Sequence, residues 1–119
     1  MITVLILFGC QDKAADEEMP AIIDVQVKLA PEAAKVNENV LFEVTVTQGN
    51  EKVTDAESVE FEFGKKDGSE KEKIAVKHKK DGIYSLEKSF SQEGDYYMIP
   101  HVTARGMHAM PKKEFTVDN

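Results

Sequence analysis

The stretch "SQEGDYYMIPHVTA", Ser91 to Ala104, decides the fold. A Gly-Asp turn comes first, and a period-two run follows, the mark of a half-buried strand. Tyr96, Met98, Pro100 and Val102 then share one face. A tyrosine just past such a turn, opening the sixth strand of a seven-stranded immunoglobulin-like sandwich, is where a tyrosine corner sits. Its hydroxyl bonds back to the backbone of the preceding link. Tyr96 is favoured for this role. Tyr97 is the alternative, because the other face of the run also carries apolar groups.

Upstream, the same alternation recurs between turn signals. "AIIDVQVKLA" places Ile23, Val25, Val27 and Leu29 on one face, and "NVLFEVTVTQ" does so with Val40, Phe42, Val44 and Val46. "SVEFEFG" alternates Val59, Phe61 and Phe63 with Glu60 and Glu62. "KEKIAVKH" is a fourth strand, closed by His78, and "IYSLEKSF" a fifth. Asp67-Gly68 and Asp81-Gly82 mark tight turns between strands. Downstream, "RGMHAMPK" reads as a link and "KEFTVDN" as the seventh strand. No segment of helix length carries a 3.6-residue apolar stripe. The expected fold over 21–119 is an all-β, antiparallel, seven-stranded immunoglobulin-like sandwich.

The totals agree with one small domain. The chain has 119 residues and a formal charge of −7 with both signs interspersed. That balance excludes a nucleic-acid partner. The single cysteine, Cys10, cannot form an internal disulfide, so the inter-sheet bridge of antibody domains is missing and the likeness is one of architecture.

Cys10 ends the apolar run "MITVLILFGC", which is too short for the ~20 residues that span a bilayer. Leu7-Phe8-Gly9-Cys10 resembles a lipobox, with Phe8 where Ala or Ser is usual and with no Lys or Arg before the run. The expectation is a signal-peptide remnant over 1–9 and a lipid-anchored acidic tether over 10–20, with Cys10 diacylated. Two acyl chains suffice for stable membrane anchoring. The plain alternative is a disordered terminus with a free thiol.

The three histidines and five methionines are unevenly placed. "HVTARGMHAM" holds His101, Met107, His108 and Met110 within ten residues. Antiparallel neighbours usually alternate their links between the two ends of a sandwich. Links 48–57, 78–82 and 104–112 therefore belong at one end, together with all three histidines. Thioether sulfur suits Cu(I), and imidazole suits both oxidation states of copper. Zinc more often recruits thiolate or carboxylate. The plain readings stay open: His78, between two lysines, as a solvated loop residue, and either methionine as a hydrophobic plug over the sandwich end.

From residue 21 onward the chain resembles the YtkA-like family of small extracytoplasmic domains. "HKKDGIY", "EGDYYMIPHVTARGMHAM" and "VTDAESVEFEF" carry the likeness. The resemblance implies a lipoprotein connected with copper handling, including respiratory copper-oxidase assembly. It makes His78, His101 and His108, with Met107, candidate copper ligands, and Met110 is a further soft donor beside them.

The resulting expectation is a copper carrier or scavenger on the outer face of the bacterial cytoplasmic membrane, serving a membrane-protein recipient. The alternative is an immunoglobulin-like module that binds a protein or cell-wall partner without metal. No phosphate loop, nucleophile elbow or HExxH pattern occurs, so an enzyme is not expected.

Overall fold

A computed structural model describes residues 21–119, all in strands and turns. The expected signal-peptide remnant over 1–9 and the expected lipid-anchored tether over 10–20, Cys10 included, lie outside the described residues. The elements are β1 (Ile23–Ala30), β2 (Ala34–Lys35), β3 (Val40–Gln48), β4 (Glu51–Lys52), β5 (Ser58–Lys65), β6 (Glu72–Ala75), β7 (His78–Lys80), β8 (Ile83–Lys88), β9 (Gly94–Ala104), β10 (Met107–Ala109) and β11 (Lys113–Asp118). The strands read from the sequence reappear as β1, β3, β5, β6, β8, β9 and β11. Four short segments raise the expected seven strands to eleven.

One sheet runs β1-β3-β8-β7, with β4 on β3. The other runs β2-β11-β9-β5-β6, with β10 on β9. Every pairing is antiparallel except β2 on β11. These orders are the ABED and GFC sheets of an immunoglobulin-type sandwich. The two inner faces meet around Phe42, whose ring lies edge-on to Phe63 at 4.9 Å, Phe115 at 5.4 Å and Phe90 at 6.1 Å. Aromatic pairs in this geometry contribute ~0.5–1.5 kcal/mol each beyond their buried area.

The tyrosine corner falls to Tyr96. Its hydroxyl donates to the Gln92 carbonyl at 2.8 Å, and its ring stacks on Phe115. Tyr97 points the other way, onto the outer face. The choice between the two tyrosines is thus settled by which face of β9 meets the core: Tyr96, Met98, Pro100, Val102 and Ala104 are buried there.

The fourth strand differs from its sequence reading. Lys71 to His78 is not continuous: β6 pairs with β5, then the chain leaves that sheet and β7 pairs with β8 in the other. Val76 marks the crossing, its N–H donating to the Val59 carbonyl at 2.9 Å while its side chain enters the core. Ile74 and Val76 keep their alternation up to the break, so the pattern itself carries no mark of it. Periodicity cannot show such a change of partner.

The link 104–112 also gains structure. Arg105 and Gly106 both have positive φ, 53° and 77°, the backbone of a two-residue hairpin turn. β10 therefore folds back on β9, with Met107 opposite Ala104 and His108 opposite Thr103. Arg105 ties this turn to the β3–β4 region by donating to Gln48 at 3.0 Å and Asp55 at 3.3 Å, and to Glu51. Val46 N–H donates to the Gly82 carbonyl at 2.9 Å, bringing the β7–β8 turn to the same end. The three links do converge.

Candidate metal site

The outer face of β9 carries the residues between its buried ones: Tyr97, Ile99, His101 and Thr103. Across one edge, β5 presents Glu60 and Glu62 outward, between the buried Val59, Phe61 and Phe63. Across the other edge, β10 presents His108. Three adjacent strands thus deliver an imidazole, a second imidazole and a carboxylate to one surface.

Gly64 shapes this surface. It stands opposite Tyr97 in the β5–β9 register, and a Cβ at that position would meet the Tyr97 hydroxyl at 2.7 Å and the ring at 2.8 Å. The glycine lets the Tyr97 ring lie across β5. The Lys112 ammonium covers the ring from 5.1 Å, leaving Tyr97 only 5% exposed although it faces outward. From there its hydroxyl donates to Glu62 Oε2 at 2.7 Å. Glu62 Oε1 lies 2.8 Å from His101 Nε2, with side-chain exposures of only 15% and 14%.

These contacts set the charge state of the carboxylate. The Tyr97 hydroxyl first, and then His101, hold the Glu62 carboxyl below its usual 4.5, against a smaller opposing effect of burial. The same bond pushes the Tyr97 phenol above its usual 10.0. Around neutral pH Glu62 is therefore an anion and Tyr97 a neutral donor.

His101 and His108 are brought together, with ring centroids 6.2 Å apart. Two imidazoles sharing one ion can stand at most about 6.5 Å apart, taking a metal–nitrogen bond of ~2.0–2.1 Å and a ring nitrogen ~1.1–1.2 Å from its centroid. The observed pair lies just inside that limit. The centroid separation admits one ion between the two rings. His108 Nδ1 is 3.0 Å from Thr103 Oγ1, and the ring is exposed. Met110, two residues further on, is 50% exposed.

The remaining sequence candidates go elsewhere. Met107 alternates with His108 along β10 and packs against the hydrophobic core, as the plug reading foresaw. His78 belongs to β7 in the opposite sheet, where it is opposite Tyr84. Its Nε2 accepts from the Gly82 N–H at 3.1 Å, and its ring rests 5.2 Å from that of Tyr84. Its imidazole stabilises the Asp81-Gly82 turn. Among the described residues, no three His, Cys, Asp or Glu side chains are grouped so that together they could hold a metal ion. The sequence does not single out Glu62, Gly64 or Thr103 as site residues, and it offers Tyr97 only as the alternative tyrosine corner. The signal available was their place on the polar face of their strands, and only the β5–β9 and β10–β9 registers give it meaning.

The strand orders and the tyrosine corner define an immunoglobulin-like β-sandwich domain, with a histidine pair and its carboxylate on the outer face of one sheet. The chain belongs to the YtkA-like family, whose model matches residues 21–101. His108 and Met110 lie beyond the matched segment. No curated protein matches the sequence. Among solved structures, the PmoD soluble domain from a Methylocystis species is similar at a TM-score of 0.51 and 13% identity, over 82% of this chain and 91% of that one. The CARDB domain of the PF1109 protein from Pyrococcus furiosus, solved in complex with di-metal ions, is similar at a TM-score of 0.50 and 19% identity, over 84% and 90%. At these identities the likeness is one of fold.

Proposed function

We propose that this domain is an extracytoplasmic copper-binding protein, a carrier or scavenger rather than an enzyme, held to the membrane through a lipid on Cys10. The observation that supports this most is the His101–His108 pair, 6.2 Å apart on the outer face. An open site with two nitrogen donors suits Cu(I), which accepts nearly linear coordination, and the exposed Met110 thioether, two residues along the chain from His108, is a donor of matching softness. The YtkA-like resemblance points the same way and makes copper-oxidase assembly the process in which a membrane-protein recipient would take the ion. The similar CARDB domain of another organism was solved with metal ions, which is in keeping with a metal held on this type of sandwich.

An exposed pair also suits a protein that must give its cargo away. A closed cage would hold the ion more tightly but would have to open for transfer. Competition titration of the full chain with Cu(I) tests the reading. His101→Ala and His108→Ala should each weaken binding by at least the ~10–100-fold that loss of a mere outer-shell partner costs. His78→Ala should leave it unchanged. Equal affinity in all three variants, or no copper uptake at all, would return the domain to the metal-free interaction module.

A further inference from the structure

The strand order places Glu62 and His108 on opposite sides of His101. β5 lies along one edge of β9, while β11 and β10 share the other edge. His101 Nε2 is turned to the β5 side, where Glu62 Oε1 holds it at 2.8 Å. The two nitrogens of an imidazole point apart across Cε1. The Nδ1 edge of His101 is therefore left for the β10 side, where His108 stands.

We infer that Glu62, anchored by Tyr97, is a positioning residue that fixes His101 in its Nε2–H tautomer, so that His101 offers Nδ1 to an ion while His108 offers Nε2. The inference rests on the copper reading and names the atoms of that site. A carboxylate can only accept, so the hydrogen in the 2.8 Å contact belongs to His101 Nε2. The other oxygen of Glu62 accepts from the Tyr97 hydroxyl at 2.7 Å, so the carboxylate is held at both ends in the orientation that faces His101. Gly64 completes the chain of support, because any side chain there would displace the Tyr97 ring.

His108 is held differently. Its Nδ1 faces Thr103 Oγ1 at 3.0 Å, and a hydroxyl can donate or accept by rotating. Nε2 of His108 is thus freed for an ion whenever Nδ1–H donates to the threonine. One ligand is preset and the other adapts. A carboxylate behind a ligating histidine both orients the ring and raises its basicity.

Nitrogen-15 NMR of the full chain, metal-free and loaded anaerobically with Cu(I), tests this. In the metal-free protein the His101 Nε2–H proton should be slowed in exchange with water, and Glu62→Leu should abolish that protection. On loading, the resonances of His101 Nδ1 and His108 Nε2 should move, with the Nε2–H of His101 retained. Glu62→Leu should weaken Cu(I) binding ~10–100-fold. Glu62→Gln keeps an oxygen acceptor for Nε2–H and should stay near wild type, which separates orientation from charge. Tyr97→Phe, whose ring can remain over Gly64, should give an intermediate loss and serves if the leucine variant fails to fold. Coordination through His101 Nε2, or unchanged affinity without the Glu62 acceptor, overturns the inference and leaves the copper reading standing. If neither ring responds to copper, both fall.

Discussion

His78 and His101 have the same side chain, and the fold uses the two rings for different ends. His78 sits on an edge strand and spends its Nε2 lone pair on the Gly82 N–H of the adjoining turn. Its ring rests on Tyr84, whose hydroxyl in turn donates to the Val53 carbonyl at 3.0 Å and accepts from the Ala56 N–H at 3.2 Å. Everything around His78 closes backbone bonds in turns and links. His101 lies mid-sheet, donates Nε2–H to a carboxylate, and faces a second imidazole. The lesson is that a histidine at the expected end of a sandwich is not thereby part of a site. What its two nitrogens already bond to decides what is left for a ligand.

The contrast can be broken from either side. The largest effect is expected from Gly64→Ala, because the new Cβ must push the Tyr97 ring off β5. Overpacking of this kind costs ~1–3 kcal/mol, so chemical denaturation should show that loss together with weaker copper binding. A variant of unchanged stability and affinity would mean that Tyr97 does not depend on the gap at Gly64.

Tyr84→Phe probes the His78 side. It leaves the Val53 carbonyl and the Ala56 N–H without their hydroxyl partner, an expected loss of ~1–2 kcal/mol in denaturant midpoint. Copper affinity should not change. If it falls as far as in Gly64→Ala, the two regions are coupled and the division drawn above is wrong.

The smallest effect is a pH window. A carboxyl whose folded pKa is depressed stabilises the fold above its unfolded value, and that contribution is lost as pH falls through the lower folded value. For Glu62 the loss therefore sets in below its usual 4.5. A phenol whose folded pKa is raised contributes fully below its usual 10.0 and loses that contribution as pH rises through the folded value. The stability gap between wild type and Tyr97→Phe should accordingly be flat across the neutral range and shrink at both extremes. A gap that is constant from acid to alkaline pH would show that the Tyr97–Glu62 bond contributes nothing through charge.

Much of this molecule follows from alternation alone. Phe61 and Phe63 had to face inward, because a strand has only two faces and their neighbours along the chain are glutamates and a glycine, whereas Tyr96 beside Tyr97 needed the sheet to decide. The turns at Asp81-Gly82 and Asp67-Gly68, and the convergence of the links, follow from the same local rules. The histidine–methionine cluster of residues 101–110 was visible too, as a composition.

What alternation could not carry was partnership. Which strand lies beside which, and in what register, is a property of residues far apart in the chain. Glu62 meets His101 across 39 positions, and Tyr97 meets Glu62 across 35. The sheet change at Val76 removes His78 from the neighbourhood of the other two imidazoles, and a hairpin turn at Arg105-Gly106 sets His108 outward and Met107 inward. Local period is enough to assign an inner face to the strands that alternate cleanly, because burial of apolar surface follows it. Which of the outward groups share a surface comes from the paired sheets, because a hydrogen bond or a shared ion requires atoms within a few ångströms, and that nearness arises between distant strands.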